Sequence, residues 1–442
     1  MIKEIIKKAW RHDNNRKSLA DVFSSIPVPR NGNFWRKLLA FAGPGLMVSV
    51  GYMDPGNWAT DIAGGAQFGY TLLSVILISN FFAIILQYFA LKLGIATEKD
   101  LAQACHDNYS KPVNFALWVL CEIAIAACDL AEVLGAALAL NLLFHIPLTW
   151  GVLITGVDVL LILYFQNKGF RLLESIVAAL IFIILGCFTY EIVMSHPAIF
   201  PMVSGLLPRQ EIIFNPKMLY VSIGILGATV MPHNLYLHSS IVQTRNYDRD
   251  ETGKRMAIKF ATIDSTVSLL FAFFINAAIL IVAAATFHTT GHKDVADITV
   301  AYKLLDPILG ATAASALFAI ALLASGQNST LTGTLAGQIV MEGFLNIKLK
   351  PWLRRLITRG IAIVPAFIVT FIYGEKGVGS LLILSQVILS MQLSFAVIPL
   401  ILFTNDKHKM GPFANKLPTK IVAWLVAGII LVLNAYLLWD SL

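Results

Sequence analysis

The sequence predicts an all-α integral membrane protein of eleven transmembrane helices, arranged as two inverted repeats (spans 1–5 and 6–10) in which helices 1 and 6 are discontinuous. Three observations carry that expectation. Of the 442 residues, 57% are hydrophobic and 13% charged, against roughly 45–50% and about 25% in soluble domains. Apolar runs of membrane-crossing length recur eleven times. Two of them, the first and the sixth, are broken at their centres by a proline beside polar residues: Asp54-Pro55-Gly56-Asn57 and Met231-Pro232-His233-Asn234. In lipid, non-helical backbone persists only where it is buried in protein or lines a polar cavity, and matching breaks in two halves of a chain point to a midplane site between repeats.

The runs lie near residues 43–68, 70–95, 113–144, 147–166, 172–194, 218–241, 258–288, 305–341, 356–374, 378–403 and 420–440, each near or above the roughly 20 residues that cross a bilayer core. The eighth is long enough to contain a bend, and the eleventh stands outside the repeats. Residues 1–42 are therefore expected to form a cytoplasmic N-terminal segment. Residues 43–403 form a ten-helix core, with repeats at 43–194 and 218–403, and residues 404–442 a loop and the eleventh helix.

Charge orients the array. Of the 33 Lys and Arg, all but Arg209, Lys217, Lys293, Lys303 and Lys376 fall in or beside the segments on one side, which the positive-inside rule makes cytoplasmic. The expected location is the cell membrane, with the N-terminus inside and, for an odd number of spans, the C-terminus outside. Basic loops account for the net charge of +7 without a nucleic-acid partner. Residues 1–30 carry no apolar signal-peptide region, so no cleaved leader is expected. The stretch Ile2–Trp10 reads equally as a basic amphipathic helix on the cytoplasmic leaflet or as a disordered tail. Cys121, Cys128 and Cys187 fall within spans and Cys105 in a cytoplasmic loop, so no disulfide framework is implied. The sequon Asn108-Tyr109-Ser110 lies on the wrong side for glycosylation.

The two breaks differ in chemistry. Pro55 has no N–H, clashes with the Gly51 carbonyl and pushes Asp54 out of helical geometry. Gly56 tolerates the strained backbone, and a carboxylate and an amide, Asp54 and Asn57, flank the opening. Pro232 deprives the Ala228 carbonyl of its helical donor at the place where Met231 presents a thioether. An unpaired Asp at mid-membrane costs about 2.5–3.5 kcal/mol even on the insertion scale, which marks Asp54 as functional. Oxygen alone suits Mg²⁺ or Ca²⁺, and thioether sulfur favours softer ions. The mixed set therefore points to a divalent first-row ion such as Mn²⁺ or Fe²⁺. Neither the several sulfurs of a Cu⁺ site nor the closely spaced Cys and His of structural Zn²⁺ is present. Nor is there a nucleophile–base pair or an HExxH motif, so the chain is not expected to be an enzyme.

Asp-Pro-Gly-Asn in a first span paired with Met-Pro-His in a sixth resembles the Nramp family of proton-coupled divalent metal ion transporters, and the likeness extends over nearly the whole chain. The resemblance implies a leucine-transporter-type fold, import of Mn²⁺ and Fe²⁺ toward the cytoplasm, and metal ligation by Asp54, Asn57, Met231 and the Ala228 carbonyl. Family members that carry Mg²⁺ lack the methionine. Gln386 of the tenth span is the preferred further ligand, because the family implicates that span. Asn276, Gln87 and Gln392 are other uncharged polar groups, for which inter-helix hydrogen bonding is the default.

The third span carries Glu122, Asp129 and Glu132; the last two fall about 20° and about 80° around the helix from the first, so all three share a face. Such a stripe reads as a proton relay or as half of a buried ion-pair network. Arg354 and Arg355, at the start of the ninth span, are its counter-ions or simple positive-inside anchors. By resemblance, these groups line the proton's path. His233, beside the second break, is read as a ligand, a proton carrier or a gate residue. His238 lies about 140° from it, so the two need not share a face.

The reading is a secondary active importer of Mn²⁺ or Fe²⁺ coupled to protons and working by alternating access. The metal is cargo, no permanently bound cofactor is expected, the partners are metal, protons and the lipid bilayer, and the expected unit is a monomer. The alternative is a sodium-coupled organic-solute symporter of the same fold, disfavoured because Asp54 repels the carboxylate that a helix N-terminus holds in such a site.

Overall fold

The computed structural model describes residue 19 and residues 22–156, 169–293, 295, 298–309, 313–347, 351–374 and 377–440, without the side chains of 308, 309, 351–356, 358, 373 and 440. The described chain is helical almost throughout. Its principal helices are α1 (Phe34–Phe41), α2 (Pro44–Gly51), α3 (Pro55–Phe68), α4 (Leu73–Thr97), α5 (Leu101–Asn108), α6 (Lys111–Phe144), α7 (Phe170–Ser195), α8 (Pro216–Thr229), α9 (Pro232–Ile241), α10 (Glu251–Ala283), α11 (Ile298–Leu309), α12 (Ala314–Leu345), α13 (Pro351–Tyr373), α14 (Val378–Asn405) and α15 (Leu417–Asp440). Among the described residues, seven helical stretches are long and apolar enough to cross a membrane. The chain is a multi-pass membrane protein.

Both proline runs are broken as expected. The first separates into α2 and α3 across residues 52–54, and the sixth into α8 and α9 across residues 230–231. Each second half begins on its proline, where the missing N–H needs no intrahelical partner.

Other elements depart from expectation. The eighth run is two helices, α11 and α12, joined where the Asp306 carboxylate accepts from the Ser315 N–H at 2.8 Å. Cys105 lies in helix α5, closed by a capping box between Asp100 and Gln103, and not in a loop. Of the fourth run, residues 157–166 lie outside the described residues, as does Ile2–Trp10.

The breaks sit inside the bundle. α3 packs against α8, α10, α14 and α6, while α12 packs along α6 and α7. Glycines permit the closest approaches: a Cβ at Gly135 of α6 would overlap the Pro55 ring, and one at Gly227 of α8 would overlap the Gln386 carbonyl of α14. Large apolar side chains on α7, α13 and α15, among them Phe182, Phe371 and Leu425, face outward, as lipid-facing surfaces do.

The helix pair α1–α2 is held by a buried charge cluster. The Glu174 carboxylate of α7 accepts from Arg245 at 2.6 Å and from Arg171 at 2.9 Å. The two guanidinium groups also donate to carbonyls that end α1: Arg171 to Leu39 and Ala42, each at 2.6 Å, and Arg245 to Ala40 at 3.1 Å and Ala42 at 2.7 Å. Asp264 of α10 accepts from the Gly45 N–H at 2.7 Å, at the start of α2. Cations therefore close the carbonyl end of one helix and an anion caps the amide end of the next, both in the sense the helix dipole favours. Gly43, between them, has φ +138°, and a side chain there would overlap Glu174. Arg245 itself lies in β2 (Arg245–Asn246), which pairs in parallel with β1 (Ile26–Pro27).

Arg245→Met is expected to destabilise the protein by about 3–5 kcal/mol, the cost of removing one partner from a buried ion pair, because Glu174 and the carbonyls ending α1 lose donors together. Thermal unfolding in detergent measures this. An unchanged melting temperature would contradict the assignment of the cluster as a structural clamp.

Candidate functional site

Every backbone carbonyl exposed by the first break has been given a donor. Tyr52 and Met53 close tightened turns onto Ser49 and Val50 at 3.1 and 3.0 Å. Asp54 then adopts extended backbone, and its Oδ1 caps α3 by accepting from the Asn57 N–H at 2.8 Å. The Tyr52 carbonyl accepts from Asn276 Nδ2 of α10 at 2.8 Å. The Met53 carbonyl accepts from Trp58 Nε1 at 3.2 Å and from the Ser325 hydroxyl of α12.

The Asn57 side chain joins the two breaks. Its Nδ2 donates to Asp54 Oδ1 at 2.6 Å, to the Gly51 carbonyl at 3.3 Å and, across 171 positions of sequence, to the Ala228 carbonyl at 3.1 Å. The last is the carbonyl orphaned by Pro232. The Asn57 Oδ1 accepts from Asn276 Nδ2 at 3.4 Å.

The remaining expected ligands gather at the same place. Met231 is fully buried, and its Sδ lies 3.3 Å from the Cβ position that Gly51 lacks. The Gln386 amide occupies the space beside Gly56, so that any side chain at Gly56 would overlap it. Gln386 Nε2 donates to the Ser385 hydroxyl at 2.9 Å, and its Oε1 has no hydrogen-bond partner, nor has Asp54 Oδ2. Among the described residues no group of three or more His, Cys, Asp and Glu is present. The cluster at the breaks is one carboxylate with carbonyl and amide oxygens and a thioether.

The acidic stripe divides. Asp129 and Glu132 are buried and both flank Gly333 of α12: a Cβ there would lie 3.0 Å from Glu132 Oε1 and 3.4 Å from Asp129 Oδ1. Glu122 is half-buried farther along α6, where its Oε1 accepts from Trp118 Nε1 at 3.1 Å. The side chains of Arg354 and Arg355 lie outside the described residues. Among the described residues, a cation on the stripe is Arg359, buried in α13, whose Nη1 is 3.3 Å from Glu132 Oε2. The sequence signal for it was an arginine inside the apolar part of the ninth run. His233 is buried with no partner at Nδ1. His238 is linked through Gln87 to Tyr52 of the first break: Gln87 Oε1 lies 2.9 Å from His238 Nδ1, and its Nε2 donates to the Tyr52 hydroxyl at 2.8 Å.

The profile described as Natural resistance-associated macrophage protein-like, Nramp, matches residues 45–440. The chain belongs to the Nramp family. This Nramp chain is 62% identical over 439 residues to the divalent metal cation transporter MntH of Listeria monocytogenes serotype 4a, covering 99% of the chain and 98% of that protein. It is 43% identical to the Eremococcus coleocola manganese transporter, solved with an aromatic bis-isothiourea compound, with a TM-score of 0.88 over 95% of this chain and 90% of that one. A closed structure of Mhp1, a nucleobase-cation-symport-1 family transporter, is 14% identical, with a TM-score of 0.61 over 97% of this chain and 93% of that one; it shares the fold alone. Nramp proteins are transporters, and this member is a transporter and not an enzyme.

Asn57→Ala leaves the Gly51 and Ala228 carbonyls without their donor in a buried setting. Each such loss costs about 1–3 kcal/mol, and the metal-free protein is expected to be destabilised accordingly and to unfold at a lower temperature than wild type. A metal-free melting temperature equal to wild type would refute the bridging role of Asn57.

Proposed function

We propose that this transporter imports Mn²⁺ and Fe²⁺ into the cytoplasm together with protons, with the metal held between the two helix breaks. The observation that carries the reading is the position of Asn57 Nδ2. One amide nitrogen is ringed by Asp54 Oδ1, the Gly51 carbonyl and the Ala228 carbonyl at 2.6–3.3 Å. Three oxygens converging on a hydrogen-bond donor make a nest that a cation can take over. When metal arrives, the Asn57 amide turns to present its oxygen, and Asp54 Oδ2 and Gln386 Oε1, which lack partners, have lone pairs to offer. Met231 adds the soft donor that favours transition ions over Ca²⁺ and Mg²⁺. The names of the relatives, a divalent metal cation transporter and a manganese transporter, accord with this cargo.

Because each proline interrupts the continuous run of helical hydrogen bonds, α2 and α9 can swing against α3 and α8 without rupturing a helix. That is the physical basis for alternating access in an eleven-helix array of two inverted repeats of the leucine-transporter type, residues 43–194 and 218–403, with the N-terminus inside, the C-terminus outside and a monomer as the working unit. Protons move along Asp129 and Glu132 toward Glu122. Arg359 holds Glu132 in place, Arg354 and Arg355 stand at the start of the same helix, and His233 serves as the proton or gating group beside the metal. The organic-solute alternative places a substrate carboxylate near Asp54, and the repulsion disfavours it.

Reconstituted into liposomes under an inward acidic gradient, wild type is expected to accumulate Mn²⁺ and Asp54→Ala to lose at least about tenfold in uptake, the equivalent of about 1.4 kcal/mol; equal uptake by the two sinks the assignment. Met231→Ala is expected to admit Ca²⁺ as a competitor while retaining most Mn²⁺ transport. Undiminished exclusion of Ca²⁺ in that variant refutes the role of the sulfur.

A further inference from the structure

Asp61 is a carboxylate that the site described above does not use. It lies in the middle of α3, is 1% exposed, and its Oδ2 has no hydrogen-bond partner. No Lys or Arg pairs with it among the described residues. Its direction follows from helix geometry: Asn57, Asp61 and Gly65 are spaced four residues apart, so each is turned about 40° from the last and raised about 6 Å. Asn57 meets Asn276 of α10, and Gly65 abuts the Leu280 carbonyl and the Ala283 side chain of the same helix. Asp61, between them, faces the seam between α3 and α10. Asn276, on that seam, is also buried and its Oδ1 is without a donor.

Two buried oxygen acceptors with nothing to satisfy them share this seam. An unneutralised carboxylate in so apolar a setting is costly; Glu191 of α7 also lacks partners at both oxygens, but three other buried acids are handled differently. Glu174 has two arginines, Glu132 has Arg359, and Asp264 has two backbone N–H groups. We propose that Asp61, with the Asn276 carbonyl oxygen, forms a second seat for the transported divalent cation, one helical turn from Asn57 on the side of the breaks toward the end of α3. The inference rests on the metal-transport reading above.

The chemistry assigns this seat a role distinct from the first. It has oxygen donors and no sulfur, so it attracts divalent cations without sorting hard from soft ones. In the proposed orientation α3 runs outward from the break, and a cation arriving from outside meets Asp61 before it meets Met231. The Asp61 seat concentrates cations, and the site at the breaks selects among them.

Initial rates of Mn²⁺ uptake into proteoliposomes, with and without competing Ca²⁺, test this. In Asp61→Asn the KM for Mn²⁺ is expected to rise about tenfold while kcat and the discrimination against Ca²⁺ stay within about twofold of wild type; Asp61→Glu, which keeps the charge, is expected to restore most of the KM. If Asp61→Asn does not reach the vesicles folded, Asp61→Ser carries the same test. Saturable uptake by wild type with an unchanged KM in the charge-removing variant overturns the second seat alone, as does a fall in kcat at unchanged KM. Absence of saturable Mn²⁺ uptake by wild type overturns the transport reading and the second seat with it.

Discussion

One amide group holds the centre of the molecule together. Inside a bilayer every backbone carbonyl needs a donor, and two prolines withdraw donors at two places distant in sequence. The Asn57 Nδ2 answers both at once, donating to Gly51 on one side and to Ala228 on the other. Around it, Trp58, Ser325 and Asn276 serve the carbonyls of Tyr52 and Met53, which explains why α3 must lie against both α10 and α12. The packing of the bundle follows from the need to deliver polar side chains to two broken helices.

Buried acids among the described residues fall into two classes, those met by arginines and those with unpartnered oxygens. Glu174 and Glu132 meet arginines, and removing either partner leaves a charge whose desolvation is uncompensated. Asp54 and Asp61 each keep an oxygen with no partner, and Glu191 of α7 keeps two. A fold does not retain unneutralised carboxylates for stability. Their energetic cost has sense if a cation supplies the missing interaction during part of the cycle, when the same oxygens become its ligands.

Fold and chemistry are set by different residues. The Mhp1 likeness at 14% identity shows that the helical architecture tolerates almost complete replacement of side chains, because any apolar helix of the right length spans the bilayer. Function is carried by the site grafted on the fold, in the proposed reading by Asp54, Asn57 and Met231 at two proline interruptions.

The sequence by itself determined the membrane class, the positions of both breaks and the donors beside them, since each depends on local chemistry: apolar length, a missing N–H, an acid or a thioether next to a proline. Its least secure readings were those that depend on distance through space. Arg354 and Arg355 stood out as a basic pair at a helix start, and their side chains lie outside the described residues; Arg359, which the pattern did not single out, meets Glu132 227 positions away because of how α13 lies on α6, and no local pattern encodes that. The length of the apolar run at 305–341 allowed a bend, but its composition did not place the end of α11 or the start of α12, since both pieces are apolar. Only the tertiary structure decided that Asn57 bridges the two breaks and that Asp61 has no Lys or Arg beside it among the described residues. Hydrogen bonds and ion pairs between distant segments form after the helices have packed, and packing is a property of the whole chain.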